Sequence, residues 1–271
     1  MTAIKDFIKL HSLVVFFTLA FVISWGAILI MVGSEGIPAT AEQLGVLIIA
    51  MLLGPSVTGV LMIGLVSGRE GFCELRSRLL RWRVGNRWYA VALLTAPICT
   101  AVALIVLSLY SHHFIPAIST SDEKAALLIM WVLGGLFVGF FEELGWTGFA
   151  VPQMRLNHGI FKTGLIVGLL WGAWHFLVNL EIDSFSGVLP LALLLARLFS
   201  WLPAYRILMV WVYDRTESLL IVMLMHVSLV VTTGVIDPVL SGERLLIFLL
   251  AKAAVLWIIV AVLAATQRQS A

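Results

Sequence analysis

The sequence predicts an all-α, polytopic membrane protein, a bundle of about eight transmembrane helices, on three observations. Of its 271 residues, 61% are hydrophobic and 12% charged, against roughly 45–50% and 25% in soluble domains. The apolar residues gather into about eight windows near the ~20 residues that a helix needs to cross a ~30 Å hydrocarbon core. Those windows lack the short alternation of barrel strands, and a backbone in lipid must satisfy its own hydrogen bonds, so helices are the form they take.

The first window, 13–32, follows Lys5 and Lys9. Its flanks suit a secretory leader, but about 20 residues exceed what a leader's apolar stretch needs, which predicts a retained first helix. The next windows are 45–66 and 89–110, separated by the arginine-rich "GREGFCELRSRLLRWRVGNRW". Within it, 72–88 mixes Arg with Leu, Trp and Phe as a helix lying on an anionic leaflet does; a plain cytoplasmic connection is the other reading. The remaining windows are 125–141, 163–180, 188–212, 219–235 and 245–265. No fixed-period repeat, low-complexity segment or long linker divides the chain, so residues 1–271 read as one transmembrane domain.

Positive residues mark cytoplasmic connections. Lys5 and Lys9, then Arg69, Arg76, Arg78, Arg81, Arg83 and Arg87, then Arg155 and Lys162, Arg215 and finally Arg268 all fall on one side. The other side carries Glu35 and Glu42, then Asp122, Glu123 and Lys124, then Glu181 and Asp183, then Asp237, Glu243 and Arg244. Both termini are therefore expected in the cytoplasm. A net charge of +2 is too small to imply a nucleic-acid partner, and Cys73 and Cys99 form neither a metal spacing nor a disulfide framework.

Ionisable groups inside a span are costly and usually face the bundle interior. They are Glu142 and Glu143 near the end of the fourth window, His175 in the fifth, Arg197 and Arg206 in the sixth, His226 in the seventh and Lys252 in the eighth. At 1.5 Å per residue, His175, His226 and Glu142 lie roughly 18, 12 and 15 Å from the same surface. Two histidines and a carboxylate pair thus share one layer in the cytoplasmic half of the membrane. Arg197 and Arg206 read as counter-ions or snorkelling residues and Lys252 as a packing residue, outside that site.

A buried carboxylate beside histidine can accept a proton from water, and a second histidine can donate to the oxyanion of a tetrahedral intermediate. Glu142, His175 and His226 could instead hold a catalytic zinc with an open water position, although no HExxH helix is present. Trp171 and Trp174 are placed to line a substrate slot.

"EELGWTGFAVP", then "WGAWH", then "LMHVS" resembles, in order, the three motifs of the CPBP family of intramembrane proteases over about residues 125–234. The resemblance implies that Glu142 activates water with Glu143 beside it, that Trp171 and His175 form the second motif and that His226 serves the oxyanion site. It also implies cleavage of a membrane-embedded or lipidated substrate of CAAX or bacteriocin type. Thr147 and Val230 stand where the family has arginine and asparagine. Two further readings stay open: a weakly active member acting as a bacteriocin immunity factor or peptide-binding scaffold, and a proton-coupled transporter. For the last, the matching halves with interrupted helices that such folds carry are not seen. The partners expected are a membrane-anchored peptide and the bilayer, and the location a bacterial inner membrane with the site open to the cytoplasm.

Overall fold

The computed structural model describes the backbone of residues 2–33, 37, 40 and 42–269, and side chains of those from 5 to 267. Glu35 and the side chain of Arg268, both used in the charge comparison, lie outside the described residues. The regular structure of the described residues is all helical, with no strand among them. In order they form α1 (Thr2–Leu10), α2 (Ser12–Val32), α3 (Leu44–Leu79), α4 (Asn86–Ser108) and α5 (Ala117–Thr120). Next come α6 (Lys124–Gly145), α7 (Val151–Arg155), α8 (Ile160–Trp174) and α9 (Phe176–Asn179). The last are α10 (Val188–Leu195), α11 (Leu202–Thr216), α12 (Leu219–Val235) and α13 (Gly242–Gln269). Two π turns, Trp146–Ala150 and Ala196–Ser200, join α6 to α7 and carry α10 toward α11.

Six helical stretches are long and apolar enough to cross a membrane: Ser12–Val32, Leu44–Leu79, Asn86–Ser108, Lys124–Arg155, Val188–Thr216 and Gly242–Gln267. The shorter apolar helices α8 and α12 fill the two remaining windows of the sequence. Large apolar side chains such as Ile30, Ile105, Leu133 and Ile258 stand exposed along the long helices, as lipid-facing residues do.

Three boundaries differ from the sequence reading, each for a local reason. The second span does not stop at residue 66: Gly68, at φ +59°, redirects the helix without ending it, and the arginine-rich stretch runs on as the end of α3. The interfacial helix expected over 72–88 is therefore divided between that end of α3 and the start of α4. The fourth span continues past residue 141 to Arg155, because the polar residues that follow are buried and partnered inside the bundle. The fifth ends early, at Trp174; His175 closes it at φ −74° and ψ 1°, and only the short α9 follows.

Small residues set how closely the central helices approach. On α8, Gly164, Gly168 and Gly172 recur every four residues on one face, against α11 and the π turn before it. A Cβ on Gly172 would stand 2.1 Å from the Leu198 carbonyl oxygen, and one on Gly168 2.6 Å from the Pro203 Cα. Gly145 meets Pro55 of α3 in the same way, with its would-be Cβ 2.2 Å from a backbone oxygen. Gly135 and Gly139 bring α6 against Val227 of α12. The helices bearing Glu142, His175, Arg206 and His226 are thereby drawn into one cluster. Gly172→Val is expected to force α8 from α11 and to cost about 1–3 kcal/mol, the usual penalty of overpacking, read as a lower thermal midpoint in detergent.

Candidate active site

The glutamates lie on the last turn of α6, where the chain tightens into the π turn Trp146–Ala150. Such turns often mark functional positions, because the extra residue re-aims the side chains around it. Glu142 and Glu143 are 3% and 0% exposed. Being adjacent, they point to different parts of the bundle and have different surroundings.

Glu142 faces α8. Its Oε2 accepts a hydrogen bond from Trp171 Nε1 at 2.7 Å, and its Oε1 lies 4.0 Å from His175 Nε2. His175 Nδ1 is 2.8 Å from the Trp171 carbonyl oxygen. A carbonyl only accepts, so this nitrogen carries the proton and a neutral His175 presents the Nε2 lone pair to Glu142. Two acceptors 4.0 Å apart suit one water that donates a proton to each at about 2.8 Å. The Trp171 ring stands edge-on to both His175 and His226, with centroids 5.3 and 5.4 Å away.

Glu143 is surrounded by donors. Arg206 Nη1 reaches its two oxygens at 3.0 and 2.9 Å, Thr147 Oγ1 donates to Oε2 at 2.5 Å, and His226 Nδ1 lies 2.7 Å from Oε1. This carboxylate has spent its lone pairs on fixed partners, so it cannot also take a proton from water. It holds His226 with Nδ1–H toward itself and leaves Nε2 for the cavity. The guanidinium carbon of Arg206 lies 4.1 Å over the Trp171 ring, which adds a cation–π contact to the ion pair.

Arg206, wholly buried, is the residue that the sequence reading left outside the site. The charge missing at position 147 is supplied from α11 instead, while Thr147 keeps the hydrogen bond to Glu143 one turn away. The other arginines are engaged elsewhere: Arg155 pairs with Asp214 and Arg197 with Glu181. Lys252 pairs with Asp237 at 2.8 Å, outside the catalytic layer.

A cavity of about 490 Å³ adjoins the layer and is lined by Glu142, Trp171, His175, His226 and Val230, so the position where the family has asparagine does face it. Trp174 is absent from the lining. It packs edge-on to His175 and Trp146 and donates to Ser24 Oγ at 2.9 Å, which makes it support behind the histidine and not the wall of a slot. Among the described residues no three His, Cys, Asp or Glu side chains converge as metal ligands, and the donor set read from the sequence for zinc is not assembled. The Nδ1 atoms of both histidines are held by Trp171 and Glu143, which leaves Nε2 as the free ring nitrogen of each, and one Glu142 oxygen is held by the Trp171 indole.

The cavity extends beyond the catalytic layer. It runs from the catalytic layer to residues 117, 179 and 237–239, away from the arginine-rich connections. Trp146, Phe149, Val151 and Met154, all buried, pack between the layer and the arginine-rich connections.

The family model described as "Type II CAAX prenyl endopeptidase Rce1-like" matches residues 124–232, which contain both glutamates, both histidines and Arg206. Residues 124–232 are thus similar to this family of intramembrane endopeptidases. A curated relative, CAAX prenyl protease 2 of Methanococcus maripaludis, is 24% identical over 131 residues, covering 46% of this chain and 47% of the relative. The match thus spans about half the length of that relative. Within the matched residues, the three motifs quoted from the sequence come together at one layer of the bundle.

Proposed function

We propose that the chain is an intramembrane endopeptidase that hydrolyses a peptide bond of a membrane-embedded or lipidated substrate with a water activated by Glu142. The observation that carries this reading is the 4.0 Å pairing of the Glu142 carboxylate with the lone-pair nitrogen of His175 at the wall of a cavity. The water hydrogen-bonds to both, and its oxygen attacks the scissile carbonyl carbon as Glu142 takes up one proton while the other stays on that oxygen beside His175. His226 Nε2, protonated while Glu143 holds Nδ1–H, donates to the oxyanion that forms. The carbon–nitrogen bond then breaks, the leaving amine takes the proton from Glu142, and the carboxylic acid formed gives its own proton to that amine, so that a carboxylate and an ammonium are released. Trp171 positions Glu142, and Glu143 with Arg206 positions His226.

The test is incubation of the purified protein in detergent with a panel of membrane-anchored peptides in heavy-oxygen water. Incorporation of one heavy oxygen into the new carboxyl end supports hydrolysis; tight binding of a peptide with no cleavage would support the scaffold reading, which Val230 favours. Asparagine in place of Val230, one turn from His226 and facing the cavity, restores a possible oxyanion donor. Because removal of such a donor costs roughly 10²–10³-fold, Val230→Asn is expected to raise kcat by about tenfold or more, measured on the best peptide of the panel.

A further inference from the structure

A second cavity, of about 640 Å³, lies between α4, α11 and α13 at the arginine-bearing end of the bundle and shares no lining residue with the catalytic one. All three helices line it by the same pattern. Each places a polar residue in its first or last turn and an apolar residue four positions deeper on the same face: Arg87 and Val91 on α4, Arg215 and Trp211 on α11, Gln267 and Leu263 on α13. Four residues of helix rise about 6 Å, so a polar rim stands one turn above an apolar floor. Trp88 completes the wall, its ring edge-on to Trp211 with centroids 5.1 Å apart. Tryptophan at the end of a spanning helix suits the level where headgroups meet hydrocarbon.

The rim is cationic and carries no counter-charge of its own. No acid lines the cavity, and among the described residues neither Arg87 nor Arg215 has a carboxylate partner. The acids beside Arg215 in sequence, Asp214 and Glu217, line a different pocket, where they pair with Arg155 and Arg81. Gln267 Nε2 is buried without a hydrogen-bond partner, a cost that a bound acceptor would offset. Snorkelling accounts for arginines at helix ends, but not for a buried amide donor left beside them. The ligand that fits offers anionic oxygens at the rim and hydrocarbon below it. We propose that this cavity binds one anionic phospholipid of the leaflet at that end, its phosphate held by Arg87, Arg215 and Gln267 and the start of its chains lying against Trp88, Trp211, Val91 and Leu263. A free phosphate shares the headgroup chemistry and would leave the floor uncovered.

The test is native mass spectrometry of the purified full chain in detergent, titrated with dioleoyl phosphatidylglycerol. A single lipid is expected to stay bound at concentrations where further lipids are lost. Dioleoyl phosphatidylcholine, with the same chains and no net charge, should bind at least about tenfold more weakly. Arg87 and Arg215 are exposed at helix ends, so the fold should survive Arg87→Gln/Arg215→Gln, while the first lipid should bind about thirtyfold more weakly at the usual contribution of an arginine near anionic headgroups. Arg76→Gln/Arg83→Gln removes two other exposed arginines of the same end, outside the cavity, and should leave that lipid in place. Val91→Trp fills the floor with the rim intact and should also weaken it. Equal loss in the two double variants would overturn the site in favour of diffuse attraction to a charged end. Equal binding of the two lipids would overturn the recognition of an anion. Displacement of the lipid by millimolar inorganic phosphate, or native affinity in Val91→Trp, would overturn the phospholipid and assign the rim to a free phosphate.

Discussion

Replacing Glu142 by glutamine is expected to lower kcat/KM by about 10²–10⁴-fold, the range that a positioned general base supplies, with the protein still folded. Glutamine keeps an oxygen to accept the Trp171 indole N–H, which lies 2.7 Å from the native carboxylate, so the local hydrogen bond survives. The amide has no basic lone pair to take a proton from water. The 4.0 Å gap to His175 then still holds a water, but one with only the imidazole as its base. The measurement is the initial rate on the panel peptide beside the thermal midpoint of the same preparation. A variant that cleaves at the native rate would remove Glu142 from the mechanism and leave His175 as the sole candidate base beside the cavity. A chelator added to the native protein is expected to leave the rate unchanged, since the described side chains assemble no metal-binding set.

Arg206→Met is expected to cost stability more than any substitution at the catalytic residues. Glu143 is 0% exposed, and Arg206 is the permanent cation against it. Removing one partner of a buried ion pair costs about 3–5 kcal/mol, because the other charge stays behind without compensation. Thr147 and His226 would remain as donors but supply no fixed charge. The double variant Glu143→Gln/Arg206→Met removes both charges and keeps an amide oxygen for Thr147, so its thermal midpoint should recover most of the loss. Its activity should not recover, since the carboxylate that holds the His226 ring toward the cavity is gone. If Arg206→Met melts with the native protein, the ion pair contributes nothing to the fold and its assignment as the substitute for the missing motif arginine fails.

Arg206 also shows where reading the sequence stopped short. It lies ten residues before Thr216, the end of α11, or roughly 15 Å deep at 1.5 Å per residue. That is the depth computed for Glu142, so the arginine could have been placed in the layer with the same arithmetic that placed the histidines. Depth does not give azimuth, however. Arg197 and Arg206 sit on one span, and only the packing of Gly168 against Pro203 and the Arg206 Cβ turns Arg206 toward Glu143. Arg197 ends at Glu181 instead. The same limit separates Trp171 from Trp174: both lie within a turn of His175, yet one lines the cavity and the other packs behind it.

The sequence by itself determined the helical membrane bundle, its eight apolar segments and the layer shared by Glu142, Glu143, His175 and His226. Those follow from composition, window length and rise per residue, which are properties of single helices in lipid. The tertiary structure decided which carboxylate is left free. Glu142 and Glu143 are chemically identical neighbours, and the difference arises because α11 and α12 direct Arg206 and His226 to one while α8 presents an indole and a lone pair to the other. It also decided which side chains line the cavity, since that depends on how α6, α8, α12 and α13, distant in sequence, pack around it.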